Sequence, residues 1–326
     1  MSELVFEGTT YEVPPGNTVL EALEVAGVTI PSSCRSGVCQ SCLLRAVEGT
    51  PPATAQAGLR DTLRQQGYFL ACCCKPDGSL EVVRPNDAGL RHRARVARVR
   101  SLNATVAELT LECDAAFEYR PGQFANIALT CGTVRSYSLA SVPTEDPHLH
   151  MHIARMPGGI VSGWVHDSAK EGDFVDLLGP HGNCFYTVGN FGQTLVLAGT
   201  GTGLAPLYGI ARDALRHGHT GDIHLFHGSI RQEGLYLVEE LRALSHTHSN
   251  LHYYPCVLEG PADAQTHVGA LDAHVTSTLS TLRGSRVFLC GHPDFVKMMQ
   301  KKTFLLGAAM KDIFADSFLP AKTVTA

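Results

Sequence analysis

The sequence predicts a multidomain protein in which an all-β segment precedes an α/β segment. Residues 94–190 contain short runs of alternating apolar and polar residues separated by Pro and Gly, which is the pattern of an antiparallel barrel. From Gln193 onward, strand-like runs such as TLVLA alternate with helix-like segments, which indicates a parallel sheet covered by helices. With 326 residues, the chain is long enough for two or three domains.

Composition excludes several classes of partner. The net charge of -5 argues against nucleic acid, because phosphate binding needs a concentrated positive face. The basic run at 91–100 leaves a phosphate-binding patch open, but Val96 and Val99 alternate with charged residues in its second half, which favours a linker entering a half-buried strand. No apolar run has the length of a membrane span, and no basic-then-apolar leader opens the chain. We expect no membrane partner and a cytoplasmic location.

The eleven cysteines favour metal ligation over a disulfide framework, because the cytosol keeps thiols reduced. Cys34, Cys39 and Cys42 have the spacing C-x4-C-x2-C, and 29 residues separate Cys42 from Cys72 in the run ACCC. Three close cysteines and a distant fourth form the plant-type [2Fe-2S] pattern. A zinc site is the alternative, but zinc sites usually have two C-x2-C knuckles and this sequence has one. The spacing selects Cys72 and leaves the next two cysteines as packing residues.

The residues around these cysteines carry a family resemblance. Residues 4–31 predict two short strands around Gly8, a Pro-Pro-Gly turn and a helix capped at Asn17 or Thr18. The residues predicted to face inward from that helix are Leu20, Leu23, Val25 and Ala26. With a last strand near 80–83, this order resembles the β-grasp of plant-type ferredoxins, which implies a [2Fe-2S] cluster held by Cys34, Cys39, Cys42 and Cys72. Gln40 departs from the Gly that this family commonly has after the second Cys.

The barrel segment contains four motifs in order: PGQF, RSYS, PGGxxS and GPHG. As an ordered set over residues 121–182, they resemble the flavin-binding barrel of the ferredoxin-NADP reductase family. The resemblance implies that Arg135 pairs with the flavin pyrophosphate, Tyr137 packs on the flavin ring and Ser138 hydrogen-bonds near flavin N5. It also implies that Gly159 and Ser162, at the start of a helix, bind the same phosphates. FAD is favoured over FMN, because relatives with FMN usually carry the ferredoxin at the C-terminus.

The last segment contains GTGTG at 199–203 and CGHPD at 290–294, each at the end of a predicted strand, where such sheets bind ligands. GTGTG alone is a weak signal. Followed by Leu-Ala-Pro and paired with CGHP, it resembles the nicotinamide domain of the same reductase family, which implies that Cys290 lies beside the reacting nicotinamide. The predicted nucleotide-binding residues are Gly199, Gly201, Thr202, Gly203, Arg231 and Gly291.

Two residues leave alternatives open. Arg231 is able to take a 2′-phosphate, but its neighbours Gln232 and Glu233 favour NADH, with NADPH still possible. Phe318 is the candidate for the aromatic residue that relatives place over the flavin, and simple packing is the alternative.

The domain order, with a ferredoxin domain at 1–88, a flavin barrel at 93–191 and a nicotinamide domain at 192–326, resembles the reductase components of bacterial oxygenases. The resemblance implies electron transfer from NADH through FAD and the [2Fe-2S] cluster to an intermediary ferredoxin or a terminal oxygenase, first of all an aromatic-ring Rieske dioxygenase. Ser138, Cys290 and Phe318 are the expected catalytic residues. The alternatives are a reductase of a di-iron monooxygenase or deoxysugar dehydrase system, and a redox sensor without turnover.

Overall fold

The computed structural model describes residues 2–59, 63–64, 66–85, 91–113 and 117–319, and the strands in these ranges form three sheets. The first sheet consists of Ser2–Phe6 (β1), Thr9–Val13 (β2), Leu43–Glu48 (β3), Tyr68–Leu70 (β4) and Leu80–Val83 (β5). Their order is β2-β1-β5-β3-β4, with β1 parallel to β5 and the other neighbours antiparallel. Together with helix Val19–Val25 (α1), these strands form the N-terminal unit, and the predicted β-grasp arrangement is confirmed.

Helix α1 begins where the sequence predicts it. The Thr18 hydroxyl accepts a hydrogen bond from the Glu21 amide at 3.2 Å, and the Glu21 carboxylate accepts one from the Thr18 amide at 2.8 Å. This reciprocal capping satisfies two amides of the first turn. Leu20 and Leu23 are buried as predicted, but the inward orientation predicted for Val25 and Ala26 was wrong, because both are exposed. Five residues beyond Leu20, a side chain has turned by about 140° around the axis, away from the core.

The second sheet is a closed antiparallel barrel. Its strands are Arg91–Ser101 (β6), Val106–Cys113 (β7), Phe124–Ala128 (β8), Val134–Ser138 (β9), Leu149–Ala154 (β10) and Phe174–His181 (β11). They follow the order β10-β7-β6-β11-β8-β9, and an antiparallel bridge between Leu139 and Met151 brings the β9 end back to β10. Helix Ile160–Asp167 (α2) follows β10. This barrel confirms the fold class predicted for the middle of the chain.

The basic run at 91–100 is a barrel strand along its whole length, so the prediction of a linker in its first half was wrong. Arg91 lies opposite Leu178 of β11, and Arg95 lies opposite Phe174. Arg91 and Arg93 are exposed while Ala94 and Val96 on the alternate face are fully buried, which is the pattern of a strand with one solvated face.

The third sheet is entirely parallel. It consists of Leu195–Thr200 (β12), Ile223–Ser229 (β13), Leu251–Val257 (β14), His267–Val268 (β15), Arg286–Gly291 (β16) and Ile313–Ser317 (β17), in the order β15-β14-β13-β12-β16-β17. Consecutive residues of β12 point to opposite faces: Leu197 packs in one core and Val196 in another. Both faces of the sheet are therefore buried, as the alternation of strands and helices predicts. This sheet and its helices form the C-terminal unit.

The helices of the C-terminal unit are Leu204–Arg216 (α3), Val238–Thr247 (α4), Leu271–Thr278 (α5) and Pro293–Leu305 (α6). Helix α4 begins at Val238, because Leu237 has a left-handed backbone (φ 52°) that ends the preceding turn. Strand β17 was not predicted, since the segment was treated as a tail. Within the part of the chain that the structure describes, no helix combines the length and the hydropathy that a membrane crossing requires.

Candidate functional site

The four predicted cluster ligands lie as two pairs of sulfurs around the cysteine loop (residues 34–42). The Cys39 amide donates to Cys34 Sγ at 3.3 Å, and the Cys34 amide donates to Cys39 Sγ at 3.5 Å. The Cys72 amide donates to Cys42 Sγ at 3.4 Å. The four cysteines are free thiols. In a [2Fe-2S] cluster each iron takes two thiolates, so this pairwise arrangement fits that group.

No group of three or more His, Cys, Asp or Glu side chains converges as a site for a single metal ion among the described residues. Hydrogen bonds instead favour thiolate at one member of the first pair. Contact with the Cys39 thiol and the amides of Ser36 and Cys39 lowers the pKa of Cys34 to about 4, against the opposing effect of burial. The direction of this shift favours the thiolate form, which is the form of cysteine that binds metal.

The backbone of the cysteine loop is tightly wound. Arg35, Gly37 and Gln40 all have positive φ, at 52°, 78° and 57°. Gly37 is required for space as well, because a Cβ there would lie 2.8 Å from Cys73 Sγ. The left-handed backbone at Gln40 explains why relatives commonly have Gly at this point. Glu24 of α1 accepts a hydrogen bond from the Arg35 guanidinium at 2.9 Å and anchors the loop to the helix.

The next two cysteines of ACCC differ from each other. Cys74 is fully buried in the core of the N-terminal unit, which agrees with a packing role. Cys73 is only partly buried, and its sulfur lies 3.7 Å from Cys72 Sγ. Cys72 stays the predicted fourth ligand of the cluster. Because the Cys73 sulfur lies beside the Cys72 sulfur, substitutions at both positions are needed to tell which of them binds iron.

The first predicted flavin residue is Arg135, whose guanidinium donates a hydrogen bond to the Val134 carbonyl at 2.7 Å. Among the described residues it forms no ion pair with an acid, so it is available for a phosphate. The Leu139–Met151 bridge places the Arg135 end of β9 alongside the end of β10 from which α2 starts. Tyr137 packs against the barrel core, and burial raises its pKa.

The start of α2 differs in detail from the expectation. The Gly159 amide donates to the Met156 carbonyl at 2.9 Å, and the Ser162 hydroxyl accepts from the Met156 amide at 3.2 Å. Both predicted groups therefore serve the turn that precedes the helix. The amides of the first helical turn, from Ile160 to Ser162, have no acceptor within the helix and this helix end has no side-chain cap, which leaves them able to bind an anion.

Ser138 and Cys290, predicted in separate domains, are brought together by Asp316. The Ser138 hydroxyl lies 3.4 Å from Asp316 Oδ2, and Asp316 lies directly opposite Cys290 in the register of β16 and β17. Burial raises the pKa of Asp316 to about 6, and the Ser138 hydroxyl opposes this shift. Sequence reasoning missed Asp316. The short apolar run that begins IFADS gave the only signal, and it indicates no more than a strand.

The predicted nucleotide loop meets the Cys290 segment at the same place. Gly199 at the end of β12 lies opposite Cys290, and a Cβ at Gly203 would lie 2.4 Å from the Cys290 carbonyl oxygen. The amide of His292 donates to Thr200 Oγ1 at 3.1 Å. The two glycine motifs are therefore one structure at the carboxyl edge of the parallel sheet. The same structure contains three more of the predicted nucleotide-binding residues: Gly201, Thr202 and Gly291.

Two predicted residues lie at the margins of this structure. Arg231 is exposed and pairs with Glu259, whose carboxylate accepts from Nη2 at 2.9 Å and from Nε at 3.1 Å. Phe318 is partly exposed and is held by a hydrogen bond from its amide to the Gly291 carbonyl at 2.8 Å. Phe318 thus follows directly from the strand that carries Asp316.

A cavity of about 670 Å³ extends between the cysteine loop and Asp316. This volume is in the range of cofactor and ligand sites. Arg135, Tyr137, Gly159 and Ser162 are not among its lining residues. Among those that line it are Val38 and Gln40 of the cysteine loop, Phe124, Cys184 and Asp316. Outside the cavity, the start of α2 and the Arg135 guanidinium, which has no acidic partner among the described residues, fit the pyrophosphate of a flavin nucleotide.

Asn126 of β8 joins the barrel to the cysteine loop, a role that sequence reasoning also missed. Its side-chain amide donates to the Cys39 carbonyl at 2.9 Å, and its Oδ1 accepts from the Ser136 hydroxyl at 2.7 Å. Asn126 is buried, at 1% exposure. Ser136 lies between the two predicted flavin residues Arg135 and Tyr137, so a chain of two hydrogen bonds connects the flavin strand with a predicted cluster ligand.

The chain matches three protein families in order. Residues 5–77 match the 2Fe-2S iron-sulfur cluster binding domain, residues 94–186 the oxidoreductase FAD-binding domain, and residues 197–301 the oxidoreductase NAD-binding domain. These matches confirm the predicted cofactors: a [2Fe-2S] cluster, FAD and a nicotinamide dinucleotide.

Relatives and solved structures align with nearly the whole chain. The naphthalene 1,2-dioxygenase system ferredoxin–NAD(P)+ reductase component of Pseudomonas putida is 31% identical over 326 residues, covering 98% of this chain and 99% of its own. The aromatic O-demethylase reductase subunit of Amycolatopsis is 32% identical, covering 96% and 97%. The crystal structure of the Amycolatopsis reductase GcoB has a TM-score of 0.72 at 28% identity, covering 99% of this chain and all of that one.

Fold and site together define an NAD(P)H-dependent oxidoreductase that contains a flavin and an iron–sulfur cluster. More particularly, the chain belongs to the family of flavin and [2Fe-2S] reductase components of bacterial oxygenases.

Proposed function

We propose that this protein passes electrons from NADH through FAD and a [2Fe-2S] cluster to a terminal oxygenase. The observation that carries the proposal is the cavity that reaches from Asp316, beside Ser138 and Cys290, to Val38 of the cysteine loop. One cavity thus connects the predicted hydride site with the predicted cluster site. When bound, a flavin takes two electrons as hydride and releases them one at a time, which suits a one-electron cluster.

In this proposal Cys34, Cys39, Cys42 and Cys72 hold the cluster. The amide of Ser36 donates to Cys34 Sγ at 3.4 Å, and the Ser41 hydroxyl donates to Cys39 Sγ at 3.2 Å. Hydrogen bonds to ligand sulfurs stabilise negative charge and tune the reduction potential of such clusters.

Arg135 and the first turn of α2 bind the flavin pyrophosphate, and Tyr137 supports the ring. Ser138 orients the reacting edge of the flavin through its hydroxyl, which Asp316 holds in place. Cys290 supports the nicotinamide from the opposite side, and Phe318 closes the site. The carboxylate of Asp316 stabilises the positive charge that develops on a nicotinamide as it loses hydride.

The nucleotide loop binds the dinucleotide phosphates close to its backbone. It is formed by Gly199, Gly201, Thr202 and Gly203, together with Gly291. The pairing of Arg231 with Glu259 supports NADH as the substrate. Because the guanidinium is already neutralised, a 2′-phosphate has to displace a carboxylate before it gains an ion pair.

The three sheets support a division into a ferredoxin domain at 1–88, a flavin domain at 93–191 and a nicotinamide domain at 192–326. Residues 86–90, which include the first boundary, lie outside the described residues. The partner is a terminal oxygenase, and an aromatic-ring Rieske dioxygenase is the first candidate. Relatives serve a naphthalene dioxygenase, a xylene/toluene monooxygenase and an aromatic O-demethylase, as their names state.

Steady-state assays test the proposed function. Purified holoprotein is expected to oxidise NADH with cytochrome c as the acceptor and to support product formation when mixed with a Rieske oxygenase component. Cytochrome c reduction that depends on the cluster, and is lost in Cys72→Ser, supports the proposal. A holoprotein that binds flavin and cluster without oxidising NADH contradicts it and favours a redox sensor.

A further inference from the structure

Two cysteines distant in sequence face each other where the barrel meets the C-terminal unit. Cys184 follows β11, and Cys290 lies in β16. Their sulfur atoms are 3.7 Å apart, and both are free thiols. Since the sulfurs of a disulfide lie about 2.05 Å apart, bond formation needs an approach of about 1.7 Å.

Within the described ranges, the thiols of Cys72, Cys73 and Cys256 have their contacts inside one unit. Cys72 and Cys73 are equally close, but they are adjacent in the chain and Cys72 is a predicted cluster ligand. Cys256 is buried in the C-terminal unit, where its thiol donates to the Gly269 carbonyl at 3.3 Å. Cys184 and Cys290 are therefore the pair whose linkage would join two sheets.

A small oxidant has a path to this pair. Cys184, which is 3% exposed, lines the 670 Å³ cavity together with Asp316, whereas Cys290 is fully buried and is not among the lining residues. Burial and the neighbouring sulfur raise the pKa of the Cys290 thiol, which disfavours direct attack on an oxidant by Cys290. Cys184 is thus the sulfur that meets an oxidant first, and Cys290 is the sulfur that resolves the product.

We propose that hydrogen peroxide links Cys184 to Cys290 and thereby closes the nicotinamide site. The Cys184 sulfur attacks one peroxide oxygen, the O–O bond breaks, and the products are a sulfenic acid and one water. The Cys290 sulfur then attacks the Cys184 sulfur, the S–S bond forms as the S–O bond breaks, and hydroxide leaves with the thiol proton as a second water. Two thiols lose two electrons and one peroxide gains them.

The linkage has two effects on the site. It removes the Cys290 thiol from the position where the proposed function places it beside the nicotinamide. It also ties the segment after β11 to β16, so the two units cannot separate around an entering dinucleotide. The loss of activity rests on the proposed function, whereas the linkage itself rests only on the position of the two sulfurs.

Peptide mapping tests the linkage directly. The reduced holoprotein is freed of reductant, treated with a few equivalents of hydrogen peroxide, alkylated and digested without reductant. We expect one cross-linked species containing Cys184 and Cys290, with a mass two hydrogens below the sum of the reduced peptides. The rate of flavin reduction by NADH should fall in proportion to the cross-linked fraction and return after dithiothreitol.

Two variants sharpen the result, each compared with its own untreated sample. Cys184→Ser should give no cross-link and keep its rate of flavin reduction after peroxide, whereas Cys256→Ser should cross-link and lose activity as the wild type does. Absence of the linked peptide, or equal inactivation of Cys184→Ser, would overturn the proposal. A linked protein that still reduces its flavin at full rate would refute the closure. Failure of NADH to reduce the flavin in untreated protein would refute the proposed function instead, and the peptide map would still decide the linkage.

Discussion

The side-chain amide of Asn126 donates a hydrogen bond to the carbonyl of Cys39 at 2.9 Å, and this contact joins the flavin barrel to the cysteine loop. Asn126→Ala leaves the Cys39 carbonyl without its partner, at a cost of about 1–3 kcal/mol. We expect electron transfer from flavin to cluster to slow by roughly tenfold, because about 1.4 kcal/mol corresponds to tenfold in the docking equilibrium. Stopped-flow absorbance after mixing with NADH resolves the two steps.

Reduction of the flavin by NADH should keep its wild-type rate in this variant. Asn103→Ala is the matched control, since Asn103 donates to the Gly234 carbonyl at 3.2 Å and joins the barrel to the C-terminal unit instead. An Asn126→Ala protein whose cluster is reduced as fast as that of the wild type would show that this contact does not position the loop.

The register of the cluster ligands is tested by three serine substitutions. Cys72→Ser should lose or degrade the cluster and retain the flavin, because Cys72 pairs with Cys42. Cys73→Ser and Cys74→Ser should retain the cluster's visible absorption and its iron and sulfide content. Loss of the cluster in Cys73→Ser, with retention in Cys72→Ser, would move the fourth ligand by one residue.

The carboxyl group of Asp316 predicts a pH dependence of hydride transfer. Its pKa is raised to about 6, so it is ionised above that pH and able to stabilise the charge developing on the nicotinamide. The rate of flavin reduction by NADH should therefore rise from pH 5 to pH 7 and then level off. Asp316→Asn should lower the plateau by at least about tenfold and remove the pH dependence. A wild-type profile without a transition near pH 6 would contradict the assignment.

The same group has an opposite effect on stability. Its folded-state pKa exceeds the ordinary value of 3.8, so the neutral acid stabilises the fold below pH 3.8 and this contribution is lost as the pH rises through about 6. Asp316→Asn should consequently raise the melting temperature at pH 8, and the gain should shrink toward pH 4. Thermal melts of both proteins across this range measure the difference.

We expect the ion pair between Arg231 and Glu259 to influence the choice of dinucleotide. Glu259→Ala frees the guanidinium, and we expect KM for NADPH to fall by a few-fold while KM for NADH is unchanged; the modest size reflects the exposure of both side chains. Glu239→Ala, which removes an exposed acid paired with Arg242, is the control. If Arg231→Ala added to Glu259→Ala leaves the gain in NADPH use intact, Arg231 is not the phosphate ligand.

The sheets and the candidate cluster ligands could be predicted from the sequence because both depend on local patterns. Alternating residues predicted the barrel strands, and C-x4-C-x2-C lies within one short loop. The orientation of Val25 was misjudged because this last residue of α1 lies about 140° around the helix axis from Leu20, away from the core. The local pattern also gave a wrong prediction at Arg91. Its charged residues indicated a linker, whereas the segment is a paired barrel strand.

The contacts that assemble the site could not be predicted, because they join distant segments. Ser138 and Asp316 are 178 residues apart, and Asn126 and Cys39 are 87 apart. Asp316 reaches Ser138 only because β17 adds to the sheet beside β16, and the sequence around it indicates no more than a short strand. Such contacts depend on the packing of whole units, which no single motif encodes.

The central claim is that electrons from NADH reach the cluster held by Cys34, Cys39, Cys42 and Cys72 within one chain. Electron paramagnetic resonance after anaerobic addition of one equivalent of NADH tests it most directly. We expect the signal of a reduced [2Fe-2S] cluster in the wild type. In Cys72→Ser this signal should be lost, although NADH still bleaches the flavin. A wild-type holoprotein with reduced flavin and no cluster signal would contradict the account.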